Sequence, residues 1–148
     1  MKISFIGGGN MATALIGGLL KRGFTPTQIS VVEINEASRN KMQQDFGVAT
    51  TEQIAQGVAG SDLILLAVKP QQLHQVATQL APLLTGQLMV SIAAGIRADD
   101  LARWLGTQNV VRAMPNTPAL IQSGMTGLYA LRAVSQTQRE QAQNILGA

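Results

Sequence analysis

The sequence has no cysteine, a single histidine, and only 3% aromatic residues. Without thiols there is no disulfide framework, no thiol nucleophile and no Cys-based zinc site. One histidine and no carboxylate cluster leave no ligand set for a metal, and none is expected. The scarcity of aromatics argues against base-stacking platforms. With a net charge of only +3 and no Lys/Arg stripe, nucleic acid is a poor partner. Charged residues make up 13% of the chain, about half the usual share of roughly 25%. Glutamine supplies much of the polarity instead, as in Gln43-Gln44, Gln71-Gln72 and Gln136 to Gln143. Long apolar runs are missing as well. No stretch of about 18 uninterrupted apolar residues exists, so no membrane span is expected. The N-terminus superficially resembles a signal peptide, a lysine followed by apolar residues. Gly7, Gly8, Gly9 and Asn10 break that run, and no cleavage site follows it. These exclusions lead to the expectation of a soluble, cytoplasmic protein.

What is present is alternation. At 148 residues with 46% hydrophobic content, the chain fits one domain with a continuous core, taken here as residues 1–148. Lys2 to Ile6, Ile29 to Glu33 and Asp62 to Val68 read as strands. The last of these is apolar without alternation, as in a strand covered on both faces. A brief strand near Val48, "LMVSIAAG", "VVRAM" and an edge strand within Met125 to Leu131 complete the set. Helical patterns span Asn10 to Arg22, Ala37 to Asp45, Gln71 to Leu84, Ala98 to Leu105 and Gln136 to Leu146, with a short turn near Ile54. Regular βα alternation predicts an α/β fold of Rossmann type, a doubly wound, mostly parallel sheet with helices on both faces. The last helical stretch ends abruptly, which suggests that a longer protein would continue past it.

The segment Gly7-x-Gly9-x-x-Ala12 lies where a dinucleotide fingerprint must lie, after the first strand and opening a helix. Gly7 permits a tight turn, Gly9 lets the backbone approach a pyrophosphate, and Ala12 allows close packing of helix on strand. The first amides of that helix lack internal partners, and its dipole favours an anion there. A glycine triplet alone is weak evidence. Here a second strand follows, ending in Glu33, 21 residues after Ala12. A carboxylate at that position can accept hydrogen bonds from the adenosine ribose, which favours NAD slightly and leaves NADP open. Asn35 joins the same candidate set. Arg39, six positions after Glu33, reads as a solvated helix charge rather than a partner for a 2′-phosphate.

Three further stretches fall at carboxyl ends of predicted strands: "LAVKPQ", "SIAAGI" and "RAMPNTPA". Together with "FIGGGNMA", the motifs "AVKPQ", "VSIAAG" and especially "RAMPNTPAL" make the whole chain resemble pyrroline-5-carboxylate reductase. That enzyme reduces a cyclic imine to proline. The resemblance implies that Ile6, Gly7, Gly8, Gly9, Asn10 and Met11 hold the pyrophosphate. By the same resemblance, Ala67, Val68, Lys69 and Pro70 line the nicotinamide ribose. Ile92, Ala93 and Ala94 then flank the nicotinamide, and Asn116 stands close to the reacting end. A plainer reading makes Lys69 a strand-end charge and the Ala93-Ala94 pair simple close packing. Asn116 is harder to set aside, because Pro115 and Pro118 stiffen its loop.

The chain departs from the family pattern in places. NADP-preferring members often carry a small polar residue and then arginine where Glu33 and Ile34 stand, and many have asparagine where Ile54 stands. The family also continues into a helical dimerisation domain that carries its substrate-contacting motifs. Those motifs have no counterpart here. Resemblance therefore implies a cofactor half only, whose full-length form is a homo-oligomer acting on a small cyclic imine. No catalytic residue is assigned within the chain: the protonated imine is already electrophilic, and positioning carries most of the rate. His74 reads as a surface or packing residue and Trp104 as a helix-face core residue. Two alternatives remain at this stage. One is a nucleotide-sensing module without turnover. The other is a β-hydroxyacid-type dehydrogenase, which needs a lysine on a later helix and fits "MPNTP" poorly.

Overall fold

Apolar runs bounded by glycine and proline become the strands of one sheet. The computed structural model describes residues 1–113 and 128–147. Among them, seven strands form the sheet: β1 (Ile3–Ile6), β2 (Ile29–Val32), β3 (Ala49–Thr51), β4 (Leu63–Leu66), β5 (Leu88–Ser91), β6 (Val110–Ala113) and β7 (Leu128–Ala130). Their spatial order is β3-β2-β1-β4-β5-β6-β7. The first six run parallel, and β7 returns antiparallel to β6. The helices are α1 (Asn10–Lys21), α2 (Glu36–Phe46), α3 (Ile54–Val58), α4 (Pro70–Leu80), α5 (Ala98–Leu105) and α6 (Gln136–Leu146).

Both faces of the sheet are covered, as the unbroken apolar strands require. On one face, Ile3, Phe5, Val31, Leu65 and Val90 pack with Leu15, Leu19, Met42 and Ile145 of α1, α2 and α6. On the other, Ile6, Ile64, Leu66 and Met89 pack with Val58, Leu73, Leu80, Leu101 and Leu105 of α3, α4 and α5. The doubly wound expectation therefore holds. No helix of the described residues is long and apolar enough to cross a membrane.

Element boundaries differ from the expected ones where backbone chemistry intervenes. β4 ends at Leu66 rather than Val68, because Ala67 turns to meet the loop after β1. The helix expected to run to Leu84 stops at Leu80 and tightens into a 3-10 turn over Ala81–Leu83. Pro82 has no N–H for the helical ladder, and its ring clashes with the preceding turn. Pro70 stands at the first position of α4, where its missing N–H costs nothing. Of the expected edge strand, Leu128–Ala130 is present as β7, and Met125 to Gly127 lie outside the described residues.

A small polar layer sits beneath α3. The hydroxyls of Ser4 and Ser30 both donate to the Gly57 carbonyl at 2.7 Å, and Ser61 bonds to Ser4. All three serines are buried, so their mutual bonding removes the cost of their desolvation. The close approach depends on glycine at 57, where a Cβ would stand 2.1 Å from Val32 Cγ2 and 3.1 Å from Thr51 Cγ2. Alanine there gains about 1 kcal/mol in helix propensity but overpacks α3 against the sheet, at about 1–3 kcal/mol. Gly57→Ala is therefore expected to lower stability in urea unfolding. An unchanged or raised midpoint would show that α3 does not need this contact.

Candidate functional site

The strand order reverses beside β1. The chain leaves β1 through α1 toward β2 and later crosses to β4 on the opposite side, so the carboxyl ends of β1 and β4 flank a crevice. Such switch points are where ligands of open α/β sheets bind. Backbone bonds fix the start of the turn after β1. Gly7 N–H donates to the Val32 carbonyl at 2.7 Å, and Ala67 N–H donates to the Ile6 carbonyl at 2.8 Å. Gly7 has φ +102°, and a Cβ there would lie 2.8 Å from the Ala67 carbonyl oxygen. Conformation and space both demand glycine at this position.

Gly9 is a different case. It is the N-cap of α1 with an ordinary extended φ of −78°, and beyond its chain neighbours a Cβ there would meet no atom of the described residues within 4 Å. Neither strain nor packing among the described residues calls for glycine, and Gly9 lines the crevice. Among the described residues no side chain caps α1, and its first turn carries no acidic residue. Its leading amides and positive dipole end are thus available to an anion. Ala12 is fully buried and lets α1 lie close on the sheet.

The crevice is a cleft of about 510 Å³. Ile6, Gly7, Gly8, Gly9, Glu33, Ala67, Val68 and Lys69 line it, so the structure brings these sequence candidates together. Asn10 faces a smaller hollow of about 180 Å³ behind the turn, beside Ser38 and Lys41. Met11 packs against the core, and Pro70 opens α4 at the cleft's edge. Ile92, Ala93 and Ala94 do not line the cleft. Ile92 is tied to β4 through Leu66, Ala93 is buried in the core, and Ala94 is exposed beyond β5. Asn116 lies outside the described residues.

Glu33 is oriented by two backbone donors. Its Oε1 accepts from Gly8 N–H and its Oε2 from Asn35 N–H, each at 3.0 Å. Each carboxylate oxygen retains acceptor capacity beyond that one bond. Asn35 itself caps α2, its Oδ1 accepting from Ser38 N–H at 2.9 Å. Arg39 corrects the expectation of a solvated helix charge. Its side chain is only 19% exposed, and its Nη1 donates to the carbonyls of Glu33 at 2.8 Å and Ile34 at 3.0 Å. It clamps the turn after β2. His74 and Trp104 pack with their rings tilted by 45° and centroids 4.6 Å apart, joining α4 to α5, and neither lines the cleft.

Sequence reasoning did not assign the far wall of the cleft, formed by Glu52, Gln53 and Ile54 with Gln72, Val76 and Gln79 of α4. The signal existed in part: positions 72, 76 and 79 share one helical face. The glutamines at 72 and 79 made that face look like ordinary solvated surface.

A parallel sheet with a switch-point cleft, opened by a glycine turn and an uncapped helix, defines the dinucleotide-binding class of α/β folds. The family described as NADP oxidoreductase, coenzyme F420-dependent, matches residues 2–95, and the chain belongs to it. The chain is 47% identical over 149 residues to the pyrroline-5-carboxylate reductase of Pseudomonas aeruginosa, covering 99% of this chain and 55% of that protein. A solved pyrroline-5-carboxylate reductase from Coxiella burnetii superposes with a TM-score of 0.93 at 38% identity, over 99% of this chain and 55% of the other. The Plasmodium falciparum pyrroline carboxylate reductase with NADP bound matches with a TM-score of 0.84 at 23% identity, covering 99% of this chain and 54% of that one. That last likeness is one of fold. The chain spans about half the length of the curated relatives it matches.

The two glycines separate by experiment. Gly7→Ala combines a disfavoured φ with a backbone clash and should cost about 2 kcal/mol or more. Gly9→Ala should cost no more than about 1 kcal/mol, the difference between glycine and alanine as an N-cap. Thermal or chemical unfolding of both variants checks the contrast. Equal losses would contradict the geometry described.

Proposed function

We propose that the cleft binds a nicotinamide dinucleotide and that the chain is the cofactor half of a pyrroline-5-carboxylate reductase. The observation that carries the reading is Gly9, whose missing side chain makes room for something outside the protein. The cofactor pyrophosphate rests on the amides of Gly9 and the first turn of α1, with the helix dipole behind it. When bound, the dinucleotide supplies the hydride that converts the C=N bond of the cyclic imine to the amine of proline. The residues of this chain bind and orient. Ala67, Val68 and Lys69 form the wall toward the nicotinamide end, and Ile34, Ile54 and Val76 offer apolar surface to the adenine. Asn116 and the segment after β5 complete the reacting end. The further length present in relatives supplies the imine pocket and subunit association.

NAD is the preferred form. The Glu33 carboxylate is already aimed by Gly8 and Asn35, so it receives the adenosine ribose diol without reorganisation. A 2′-phosphate would meet the same carboxylate, and like charges so placed are costly. Arg39 offsets this only in part, because its Nη1 is committed to the carbonyls of Glu33 and Ile34.

Calorimetric titration of the chain with NADH and NADPH tests the reading. NADH is expected to bind about tenfold more tightly, a difference of about 1.4 kcal/mol. Gly9→Ala is expected to weaken binding of both at least about tenfold while the protein remains folded. Proline formation should appear only when the chain is joined to the remaining half found in its relatives. Absence of binding to either nucleotide would falsify the proposal. Binding without imine-dependent oxidation in the extended protein would instead favour a sensing module.

A further inference from the structure

Glu52 occupies the turn between β3 and α3 and lines the same cleft as Glu33 and Ile34. Folding makes little use of its charge. The side chain is 66% exposed, and its described ion pair is a long one, 4.0 Å from Glu52 Oε2 to Arg39 Nη1. The same Nη1 donates to two carbonyls at 2.8 and 3.0 Å, which already hold Arg39 in place. The carboxylate therefore adds little to the clamp, yet it lines the cleft that Glu33 also lines. One guanidinium nitrogen, Arg39 Nη1, reaches both the Glu33 backbone carbonyl and the Glu52 carboxylate.

We propose that Glu52 is a second determinant of cofactor choice, acting with Glu33 against a 2′-phosphate. This rests on reading the cleft as a dinucleotide site with the adenosine ribose at Glu33. Glu52 acts through its charge, which repels a phosphate entering beside Ile34. A neutral ribose hydroxyl does not feel this repulsion, so the influence of Glu52 falls on NADPH and leaves NADH almost untouched. The charge of Glu52 is exposed, so the repulsion is moderate and screened by salt.

The test is a charge series at one position. Dissociation constants for NADH and NADPH are measured by calorimetry on the parent chain and on Glu52→Gln and Glu52→Lys, with thermal melts confirming that each variant folds. Glu52→Gln is expected to tighten NADPH about three- to tenfold, with NADH changing less than about twofold. Glu52→Lys should extend the gain in the same direction. In about 0.5 M salt the gain should shrink markedly, because the screening length falls to a few ångströms. An unchanged NADPH-to-NADH ratio across the series overturns the inference while leaving the dinucleotide reading intact. A parallel shift of both nucleotides overturns it also, since that marks a structural role. A parent chain that binds neither nucleotide removes the underlying reading and this inference with it.

Discussion

The contact between Gly7 and the Ala67 carbonyl sets the geometry of the cleft. A Cβ at Gly7 would lie within 2.8 Å of that oxygen, so two main chains touch where other folds place side chains. The bonds from Gly7 to Val32 and from Ala67 to Ile6 tie the end of β1 to both neighbouring strands at once. Three strand ends are thereby held in one plane before α1 begins. The direction of α1, and with it the aim of its first amides, follows from that plane. Rigid backbone is a better platform for recognising an anion than flexible side chains, because little freedom is lost on binding.

The opposite wall depends on a second close approach. Gly57 lets α3 settle onto Val32 and Thr51, and the buried hydroxyls of Ser4 and Ser30 replace the water that its carbonyl would otherwise need, with Ser61 bonded to Ser4. With α3 seated this closely, Ile54 and Glu52 reach the cleft. Two glycines remote in sequence thus define its two sides, one by strand-to-strand contact and one by helix-to-sheet contact. Between them stands Glu33, whose carboxylate links the glycine turn to the turn after β2 through Gly8 and Asn35.

Much of this was legible in the residues themselves. Regular alternation of short apolar runs with helical stretches called for a doubly wound sheet, and the run of β4 lacks polar alternation because both its faces are covered. The glycine turn was readable because its position after a strand and before a helix has few other uses. The roles of Asn35 and Arg39 were not readable. Capping and clamping depend on where a turn brings a carbonyl or an amide, and no spacing rule encodes that. The wall from α4 was hidden for another reason: glutamines at helical spacing look the same whether they face water or a ligand. Ile92, Ala93 and Ala94 were named by likeness of motif rather than by any spacing rule; Ala93 packs into the core and the Ile92 amide bonds to Leu66 at the end of β4.

The strand order also governs when the site can come into being. β1 lies between β2 and β4, so that Ser4 meets Ser30 26 positions away and Lys2 meets Asp62 60 positions away. Parallel pairings at such separation require long loops to close before any contact rewards them, and they form late and slowly. The crevice has no second wall until β4 has docked beside β1. During synthesis, the glycine turn must therefore wait for a segment made much later, and the two-walled cleft is among the last features this chain acquires.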